Sequence, residues 1–326
     1  MLYKNRTMPN DLQGLIALDK RLPNHHDKKH AVQKELYNCE AGYKGELEFD
    51  KAMLDFEPDY PYALLHDLYL HTEGNYFQID SLLITPSAIT IIEVKNFANK
   101  TVITENPTQF IKVYRNGDRK VLKNPIEEVQ RKTKHLKNWL AQHNIQIPID
   151  SLIIFTHTNE LVFENAQLPV KILFTYEAAD YLAAQPITEH ILDKPAIQHL
   201  AMKFKNQHKT YNPFPLLNIY NINPQDISTG VICPACNKIG MRWEKRKWNC
   251  KKCGHTSKSE HAQTIKEWFM LIHPQITNRQ LRYFLQLPSR HVAQTLLAKS
   301  NLQLRGEKRA AHYILQIDGK SPIPIE

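Results

Sequence analysis

Two acidic residues and a lysine in the first third of the chain have the types and spacing of a hydrolytic metal site. Asp80 lies in one alternating apolar stretch, and Glu93 and Lys95 end the next apolar stretch with one residue between them. Residues two apart in a strand face the same side, so Glu93 and Lys95 point together, and a hairpin partner strand brings Asp80 beside them. Paired carboxylates suit Mg²⁺ or Mn²⁺, which can activate water and neutralise charge on a phosphodiester.

The acidic-x-Lys triplet is a common pattern, and this chain contains four copies of it. Only Glu93 sits inside an apolar run, where a carboxylate must be paired, bound to metal or placed at a strand end. A structural ion pair with Lys95 would also meet that requirement. The triplet alone therefore leaves a catalytic site and a structural pair both open.

Four of the five cysteines form two Cys-x2-Cys pairs with thirteen residues between them: Cys233, Cys236, Cys250 and Cys253. In a cytoplasmic protein this spacing indicates a metal site rather than a disulfide framework. Four thiolates give a closed tetrahedral site for structural Zn²⁺, with no open position for a catalytic water. A redox-active dithiol is the alternative.

The positive charge of the chain is concentrated in its last third. The net charge is +9, and from Ser228 onward 17 Lys and Arg stand against 6 Asp and Glu, whereas the preceding part has 25 against 27. A strongly basic segment joined to a near-neutral one predicts contact with a polyanion, most directly nucleic acid. A solvated basic surface is the alternative.

The candidate nucleic-acid contacts lie around the cysteines and in the segment after them. Trp243 and Trp248 either pack over the metal site or stack on nucleobases. Ser289 is a good N-cap for the second helix of a helix-turn-helix, and a hairpin that would form a wing follows. A small helical interaction domain with a solvated basic face is the alternative. The candidate contacts are Arg242, Lys245, Arg246, Lys247, Arg290, Gln294, Arg305, Lys308 and Arg309.

Length and motif content exclude several functional classes. The 326 residues are 42% hydrophobic and 23% charged, as in a globular chain of two or three domains. The absence of glycine-rich phosphate loops, His-Glu-x-x-His and Gly-x-Ser-x-Gly argues against P-loop, dinucleotide-binding, zincin and serine-hydrolase classes. Apolar runs are too short for a membrane span and no apolar signal segment follows the first residues, so we expect a cytoplasmic protein without membrane association.

Four sequence blocks, taken together, resemble a known family. The blocks are Gly45-Glu46, Phe77–Leu82, Ile91–Asn96, and Asn124-Pro125-Ile126 with Gln130. Their order and spacing, over roughly residues 40–175, are similar to the nuclease-related domain, NERD, of the PD-(D/E)XK nuclease superfamily. The resemblance implies Asp80 and Glu93 as metal ligands, Lys95 as the catalytic lysine, Glu46 as the acid of the first helix, and Gln130 as a helix residue that supports the site. Without the resemblance, Glu46 and Gln130 are interpreted as solvated surface residues.

The elements that position these residues follow from periodicity. A helix is predicted from Glu46 to Leu54 after a turn at Gly42 and Gly45, and a later helix is capped by Asn124. The predicted strands between these helices include Tyr62–Leu70, Tyr76–Thr85 and Ala88–Val94. The predicted fold class is α/β (α+β): a restriction-endonuclease-like mixed sheet flanked by helices, with a small zinc ribbon and a winged-helix-like domain.

The predicted domains follow these elements along the chain. They are a helical N-terminal extension at 1–40, the nuclease-like domain at 41–207, a linker at 208–230, the four-cysteine zinc ribbon at 231–258 and a winged-helix-like DNA-binding domain at 259–326.

Together these features predict a nuclease that hydrolyses DNA phosphodiester bonds with Mg²⁺ or Mn²⁺ and holds duplex or branched DNA through its C-terminal modules. The alternative is a DNA-binding or regulatory protein whose nuclease-like domain does not cut. RNA stays open as a partner, because phosphate contacts do not distinguish the two polymers.

Overall fold

The computed structural model describes residues 1–98, 100–105, 107–156, 160–164 and 168–315. The chain divides into two compact units. The first comprises Met1–Met8 and Glu40–Tyr211, and the second comprises Pro9–Cys39 and the residues from Asn212 onward. Residues 9–39 thus belong to the second unit although they precede most of the first unit in sequence.

The helices are α1 (Asn10–Arg21), α2 (Lys29–Ala52), α3 (Pro125–Gln142), α4 (Thr175–Ala183), α5 (Lys194–Gln207), α6 (Leu216–Tyr220), α7 (His261–Leu271), α8 (Asn278–Leu285) and α9 (Arg290–Lys299). The strands of the first unit are β1 (Leu2–Lys4), β2 (Ala63–Thr72), β3 (Asn75–Ile84), β4 (Ile89–Lys95), β5 (Lys100–Glu105), β6 (Thr108–Val113), β7 (Arg119–Leu122), β8 (Ile149–Phe155), β9 (Leu161–Glu164) and β10 (Lys171–Phe174). Those of the second unit are β11 (Val231–Ile232), β12 (Ile239–Glu244), β13 (Lys247–Asn249), β14 (Thr256–Ser257), β15 (Gln275–Ile276), β16 (Leu302–Arg305) and β17 (His312–Leu315).

The first unit is built on a six-stranded mixed sheet with strand order β1-β2-β3-β4-β8-β10. β2, β3 and β4 are antiparallel neighbours, whereas β8 runs parallel to both β4 and β10. Apolar side chains cover both faces, with Phe49 of α2 in one core and Trp139 of α3 in the other. The predicted mixed α/β class is confirmed. Because both faces are covered, a polar residue on a central strand is shielded from water and needs a partner.

The hairpin of β2 and β3 changes its alternation at Asp67 and at Asp80, the residue opposite it. The strands pair through His66↔Ser81 and through Leu68↔Ile79, and Asp67 between these pairs has a φ of +51°. In a regular strand, residues three positions apart face opposite sides of the sheet, yet Ile79 and Leu82 lie in the same core cluster. A left-handed residue within a strand shifts the pleat, as in a β-bulge. Asp80 therefore lies at an irregular point of the sheet.

One continuous helix, α2, replaces the predicted turn at Gly42 and Gly45. The expectation of a break was wrong because Gly45 serves close packing rather than a turn. A Cβ atom on Gly45 would lie 2.6 Å from Cβ of Asn96, just beyond β4. The missing side chain lets α2 approach the end of β4, where Glu93 and Lys95 are located.

The second unit contains two small sheets with strand orders β11-β12-β13-β14 and β15-β17-β16. Its core joins Leu18 of α1 with Trp248, Trp268 and Phe284. Residues 208–230, predicted as a linker, include α6, whose Leu216 and Leu217 are buried in that core. The region from 259 onward, predicted as winged-helix-like, runs in the order α7, β15, α8, α9, β16, β17, and residues 316–326 lie outside the described part. None of the helices in the described ranges is long and apolar enough to cross a membrane.

A buried ion pair joins α1 to α7 in the second unit. Arg21 at the end of α1 donates from Nε to Oε2 of Glu267 at 2.7 Å, and from Nη1 to the carbonyl oxygens of Ser228 at 2.8 Å and Gly230 at 3.1 Å. Its guanidinium carbon also lies 4.5 Å from the ring centroid of Phe284. Arg21 is fully buried, so these partners satisfy a charge that water does not reach.

Candidate active site and metal centre

Asp80 of β3 and Glu93 of β4 meet in the centre of the first unit's sheet. Their exposed fractions are 6% and 2%. β3 and β4 pair through Ser81↔Ile92, and Asp80 and Glu93 are the next residues beyond that pair. Oδ2 of Asp80 accepts a hydrogen bond from the backbone N–H of Val94 at 2.9 Å. The structure thus brings the two predicted metal carboxylates together.

Lys132 of α3 bridges these two carboxylates. Its Nζ lies 3.2 Å from Oδ1 of Asp80 and also forms an ion pair with Oε2 of Glu93. Sequence reasoning missed this residue, although a signal existed. Lys132 follows Val129 by three residues and precedes Leu136 by four, and both of those are fully buried. A lysine on the apolar face of an amphipathic helix indicates a buried anionic partner.

Lys95 lies between two further carboxylates. Its Nζ is 2.8 Å from Oε1 of Glu93 and 2.5 Å from Oε2 of Glu128, which lies one turn before Lys132 on α3. Glu128 is the second residue that the sequence analysis did not select. Five side chains thus form a chain of alternating charge, in the order Glu128, Lys95, Glu93, Lys132, Asp80.

This alternation separates the pKa values of the two central carboxylates. Burial alone would raise the pKa of Asp80, but Lys132, Lys95 and the N–H of Val94 hold it below its ordinary value. Burial and the adjacent Asp80 raise the pKa of Glu93. Burial opposes the charge of Lys95 and Lys132, yet the carboxylates around them raise both pKa values. Both lysines are therefore positively charged at neutral pH.

The predicted first-helix acid, Glu46, is linked to this cluster through Arg6. The Arg6 side chain is 1% exposed, and its Nη1 lies 2.8 Å from Oε2 of Glu46. Arg6 also contacts Asp50, with Nε 2.9 Å from Oδ2, and donates from Nη2 to the carbonyl oxygen of Asp80 at 2.8 Å. Burial, together with Asp80, raises the pKa of Glu46 to about 8, although Arg6 opposes the rise. Arg6 was not predicted, because it follows the three-residue strand β1 and lies in no helix or strand whose period could point to it.

Gln130 lies on an exposed part of α3. Across the described ranges it forms no hydrogen bond with Asp80, Glu93 or Lys95, and the contacts from this helix come from Glu128 and Lys132. Its predicted supporting role stays a prediction.

The donor set of Asp80 and Glu93 fits a divalent cation. Both carboxylates contact the same nitrogen atom of Lys132, which shows that one cation can reach both. Mg²⁺ in proteins is usually held by one or two carboxylates, with waters and substrate phosphates as the other ligands. A group of at least three His, Cys, Asp or Glu side chains that lie close enough together to hold a metal ion occurs, among the described residues, at the four cysteines and not at Asp80 and Glu93. Asp80 and Glu93 therefore offer two carboxylate ligands to such an ion.

The four cysteines of the second unit form a compact cluster whose sulfur atoms are close enough together to hold a metal ion. All four Sγ atoms lie within 4.8 Å of one another. The separations are 3.6 Å for Cys233 to Cys253 and 3.6 Å for Cys236 to Cys250. Tetrahedral Zn²⁺ with Zn–S bonds of about 2.3 Å places sulfur atoms about 3.8 Å apart, so the cluster fits a metal ion of that kind. Backbone N–H groups of Cys253 and Lys252 lower the pKa of Cys250 to about 6. The N–H of His255 alone would lower the pKa of Cys253, but burial and the neighbouring thiols outweigh it and raise that pKa to about 12, so without metal the cluster favours the thiolate at Cys250 and the thiol at Cys253.

The two tryptophans beside the cysteines differ in their surroundings. Trp248 is fully buried, and its Nε1 donates to Nδ1 of His261 at 3.2 Å. Trp243 is half-buried and meets Trp248 edge to face, with ring centroids 5.2 Å apart. Trp248 therefore packs in the core, and Trp243 packs against that core with part of its ring exposed.

The candidate DNA contacts of the cysteine module lie on the β12–β13 hairpin. Lys245 and Arg246 form its two-residue tip with φ values of +49° and +60°. This conformation suits a tight hairpin turn but is disfavoured for residues with side chains. Arg242, Lys245 and Arg246 are exposed, and Lys247 is half-buried. The hairpin thus presents several cations at one end.

The remaining candidates lie after the cysteine module. Arg290 is exposed at the start of α9. Gln294, on the same helix, donates from Nε2 to Oη of Tyr313 at 3.1 Å and accepts from Nδ2 of Asn278 at 3.3 Å. Gln294 is therefore engaged within its own unit. Arg305, Lys308 and Arg309 are all exposed, on and after β16.

Residues 41–156 match the family model of the nuclease-related domain, NERD. These residues form a nuclease-related domain, as the sequence predicts, and they make up about a third of the chain. A solved structure of the small subunit of a heterodimeric restriction endonuclease is similar at 15% identity and a TM-score of 0.23, covering 50% of this chain and 78% of that one. A search of curated proteins gives no match.

Proposed function

We propose that the first unit is a divalent-metal-dependent nuclease that hydrolyses phosphodiester bonds of DNA. One observation carries this proposal: Asp80 and Glu93 converge on a single cationic nitrogen, and Lys95 lies against Glu93. Hard oxygen ligands beside a fixed positive charge are the arrangement that phosphodiester hydrolysis needs. The nuclease-related domain supports the same reaction class.

Each residue of the site has a role in this proposal. Asp80 and Glu93 hold Mg²⁺ or Mn²⁺, which supplies an activated water and neutralises phosphate charge when bound. Lys95 faces the negative charge that develops on the phosphate group. Glu128 orients Lys95, and Arg6 links Glu46 to the backbone of Asp80.

We propose further that the second unit binds Zn²⁺ and DNA. The sulfur separations support structural zinc at the four cysteines. The order α7, β15, α8, α9, β16, β17, with β17 in the middle of its sheet, supports a winged helix. The excess of 17 basic over 6 acidic residues from Ser228 onward supports a polyanionic partner.

A second candidate is a DNA-binding protein whose nuclease-like unit does not cut. The observation that favours it is the ion-pair chain itself, because Lys132 and Lys95 already satisfy both central carboxylates without metal. In that case the ion pairs of Lys95 and Lys132 with the two central carboxylates would be structural.

Cleavage assays distinguish the two candidates. Supercoiled, linear and single-stranded DNA, with structured RNA as a competitor, are incubated with Mg²⁺ or Mn²⁺ and with wild type, Glu93→Gln or the exposed control Glu127→Gln. We expect metal-dependent cutting by wild type and Glu127→Gln, and none by Glu93→Gln. Salt-sensitive binding without cutting by any of the three would support the second candidate.

A further inference from the structure

Lys132 contacts the two carboxylates that the proposed function assigns to a divalent ion. Its Nζ reaches both Asp80 and Glu93, and its side chain is 14% exposed. A cation held by both carboxylates and the ammonium of Lys132 require the same carboxylate oxygens. The two cannot share this place without strong repulsion between them.

We propose that Lys132 is a built-in counter-ion that holds the two carboxylates together in the absence of metal and competes with the divalent ion for them. This inference rests on the proposed metal site. Lys132 is thus a positioning residue that sets the metal affinity, and metal binding requires its withdrawal.

Lys132 and Lys95 differ in their carboxylate partners, and this difference determines which lysine a metal ion displaces. Within the described residues, Lys132 forms ion pairs with Asp80 and Glu93 alone. Lys95 pairs with Glu93 and also with Glu128, so it keeps a partner when Glu93 turns to a metal ion. The displaced cation is therefore Lys132.

The chemistry of a lysine suits this exchange. Its ammonium is a compact charge on a flexible four-carbon stem, so it can leave a site without moving the backbone. Two buried carboxylates without any cation would repel each other and lose their solvation. A resident ammonium removes that penalty and lets the site remain assembled before substrate and metal arrive.

The direct test is the affinity of the zinc-loaded, full-length protein for Mn²⁺, measured by calorimetry. Lys132→Gln removes the competing charge, whereas Lys134→Gln removes an exposed charge from the same helix. We expect Lys132→Gln to bind Mn²⁺ about tenfold more tightly than wild type or more, and Lys134→Gln to differ by less than about threefold. Equal or weaker binding by Lys132→Gln would overturn the proposal.

A double variant shows where the ion binds. Asp80→Asn combined with Lys132→Gln should lose the tight Mn²⁺ binding, because one of the two ligands is gone. If the double variant keeps it, the ion binds elsewhere and the competition is refuted.

A second measurement uses wild type and needs no folded variant. Reductive methylation with peptide mass spectrometry reports how accessible each lysine amine is. We expect Mn²⁺ to increase the labelling of Lys132 several-fold and to leave Lys134 unchanged. Unchanged or decreased labelling of Lys132 at saturating Mn²⁺ would count against displacement.

These readouts are separate from nuclease activity. If no nucleic acid is cut but Lys132→Gln binds Mn²⁺ more tightly, the counter-ion proposal stands and the nuclease proposal fails. If DNA is cut and the affinities of wild type and Lys132→Gln are equal, the nuclease proposal stands and the counter-ion proposal fails.

Discussion

Lys95 of β4 and Glu128 of α3 form an ion pair with 2.5 Å between Nζ and Oε2. This contact joins a central strand of the sheet to the helix that also supplies Lys132. It gives the ammonium a second carboxylate partner besides Glu93, so the position of Lys95 depends on two elements.

Removing this contact should impair catalysis more than binding. Glu128→Gln leaves Lys95 paired with Glu93 alone, and we expect the cleavage rate at saturating DNA to fall about ten- to a hundredfold. The exposed neighbour Glu127→Gln is the matched control. Equal rates for both variants would show that Glu128 does not position the lysine, and DNA affinity should be unchanged in either case.

Arg6 should be a major contributor to the stability of the first unit. Its loss leaves the Asp50 carboxylate without its cationic partner and the Asp80 carbonyl oxygen without its donor, and we expect Arg6→Ala to lower the local free energy of unfolding by about 3–5 kcal/mol. Arg6→Lys keeps the charge but loses the several N–H donors of the planar guanidinium, so it should lower the free energy of unfolding by less than Arg6→Ala. Hydrogen exchange of peptides from β3 and β4 measures this quantity. A change below about 1 kcal/mol in Arg6→Ala would contradict the assignment.

His66 should make the first unit less stable in mild acid. Burial lowers its pKa to about 4, whereas an unfolded histidine titrates near 6.5. Below pH 6.5 the unfolded chain therefore takes up a proton that folded His66 does not, and this favours unfolding. The contribution is absent above pH 6.5 and grows to about 2 kcal/mol at pH 5.

The same hydrogen-exchange measurement at pH 7 and pH 5 tests the prediction for His66. His66→Gln can still hydrogen bond to Oγ of Ser81, which lies 2.8 Å from Nδ1 of His66. The variant should lose less stability between the two pH values than wild type. An identical loss in both proteins would mean that His66 is protonated in the folded state.

Metal removal should loosen the cysteine module. Structural zinc is coupled to folding, so we expect one Zn²⁺ per chain and faster proteolysis of residues 231–258 after chelation. Cys233→Ser should lack the zinc, whereas Cys39→Ser, outside the cluster, should keep it. Resistance of the chelated module to protease would argue against a structural metal.

The hairpin tip of the second unit should contribute to DNA affinity through charge. Reversing both Lys245 and Arg246 to Glu should weaken DNA binding at least about tenfold at low salt and reduce the slope of log K against log salt by about 2. Reversing Lys194 and Lys205, which are exposed on α5 of the near-neutral first unit, is the control. Equal losses from both pairs would point to net charge rather than to the hairpin.

The two-residue spacing of Glu93 and Lys95, together with the hairpin that joins β3 to β4, was sufficient to predict that Asp80, Glu93 and Lys95 lie close together. The local pattern of β3 and β4 and their hairpin connection contained that information. Glu128 and Lys132 were missed because they come from a helix more than thirty residues later, and no strand period points to them. Arg6 was missed for a related reason, since it lies after β1 in a segment without helix or strand, where no periodicity is available.

Two further differences between the sequence-based expectation and the structure concern Gly45 and Gln294, whose contacts in the folded protein give them roles other than the expected ones. Glycine is a typical turn residue, yet Gly45 lies inside α2, where the end of β4 leaves no room for a side chain. Gln294 has the position of a base-reading residue, yet Tyr313 and Asn278 engage its amide. Tertiary contacts decided both cases, and a single sequence does not display them.

The placement of residues 9–39 in the second unit has a consequence for how that unit can be isolated. A gene fragment that begins at residue 212 would lack Leu15, Leu18 and Arg21, so its core would be incomplete and Glu267 would be buried without a cation. An isolated, folded form of the basic unit is therefore expected only when residues 9–39 are supplied together with the residues from Asn212 onward.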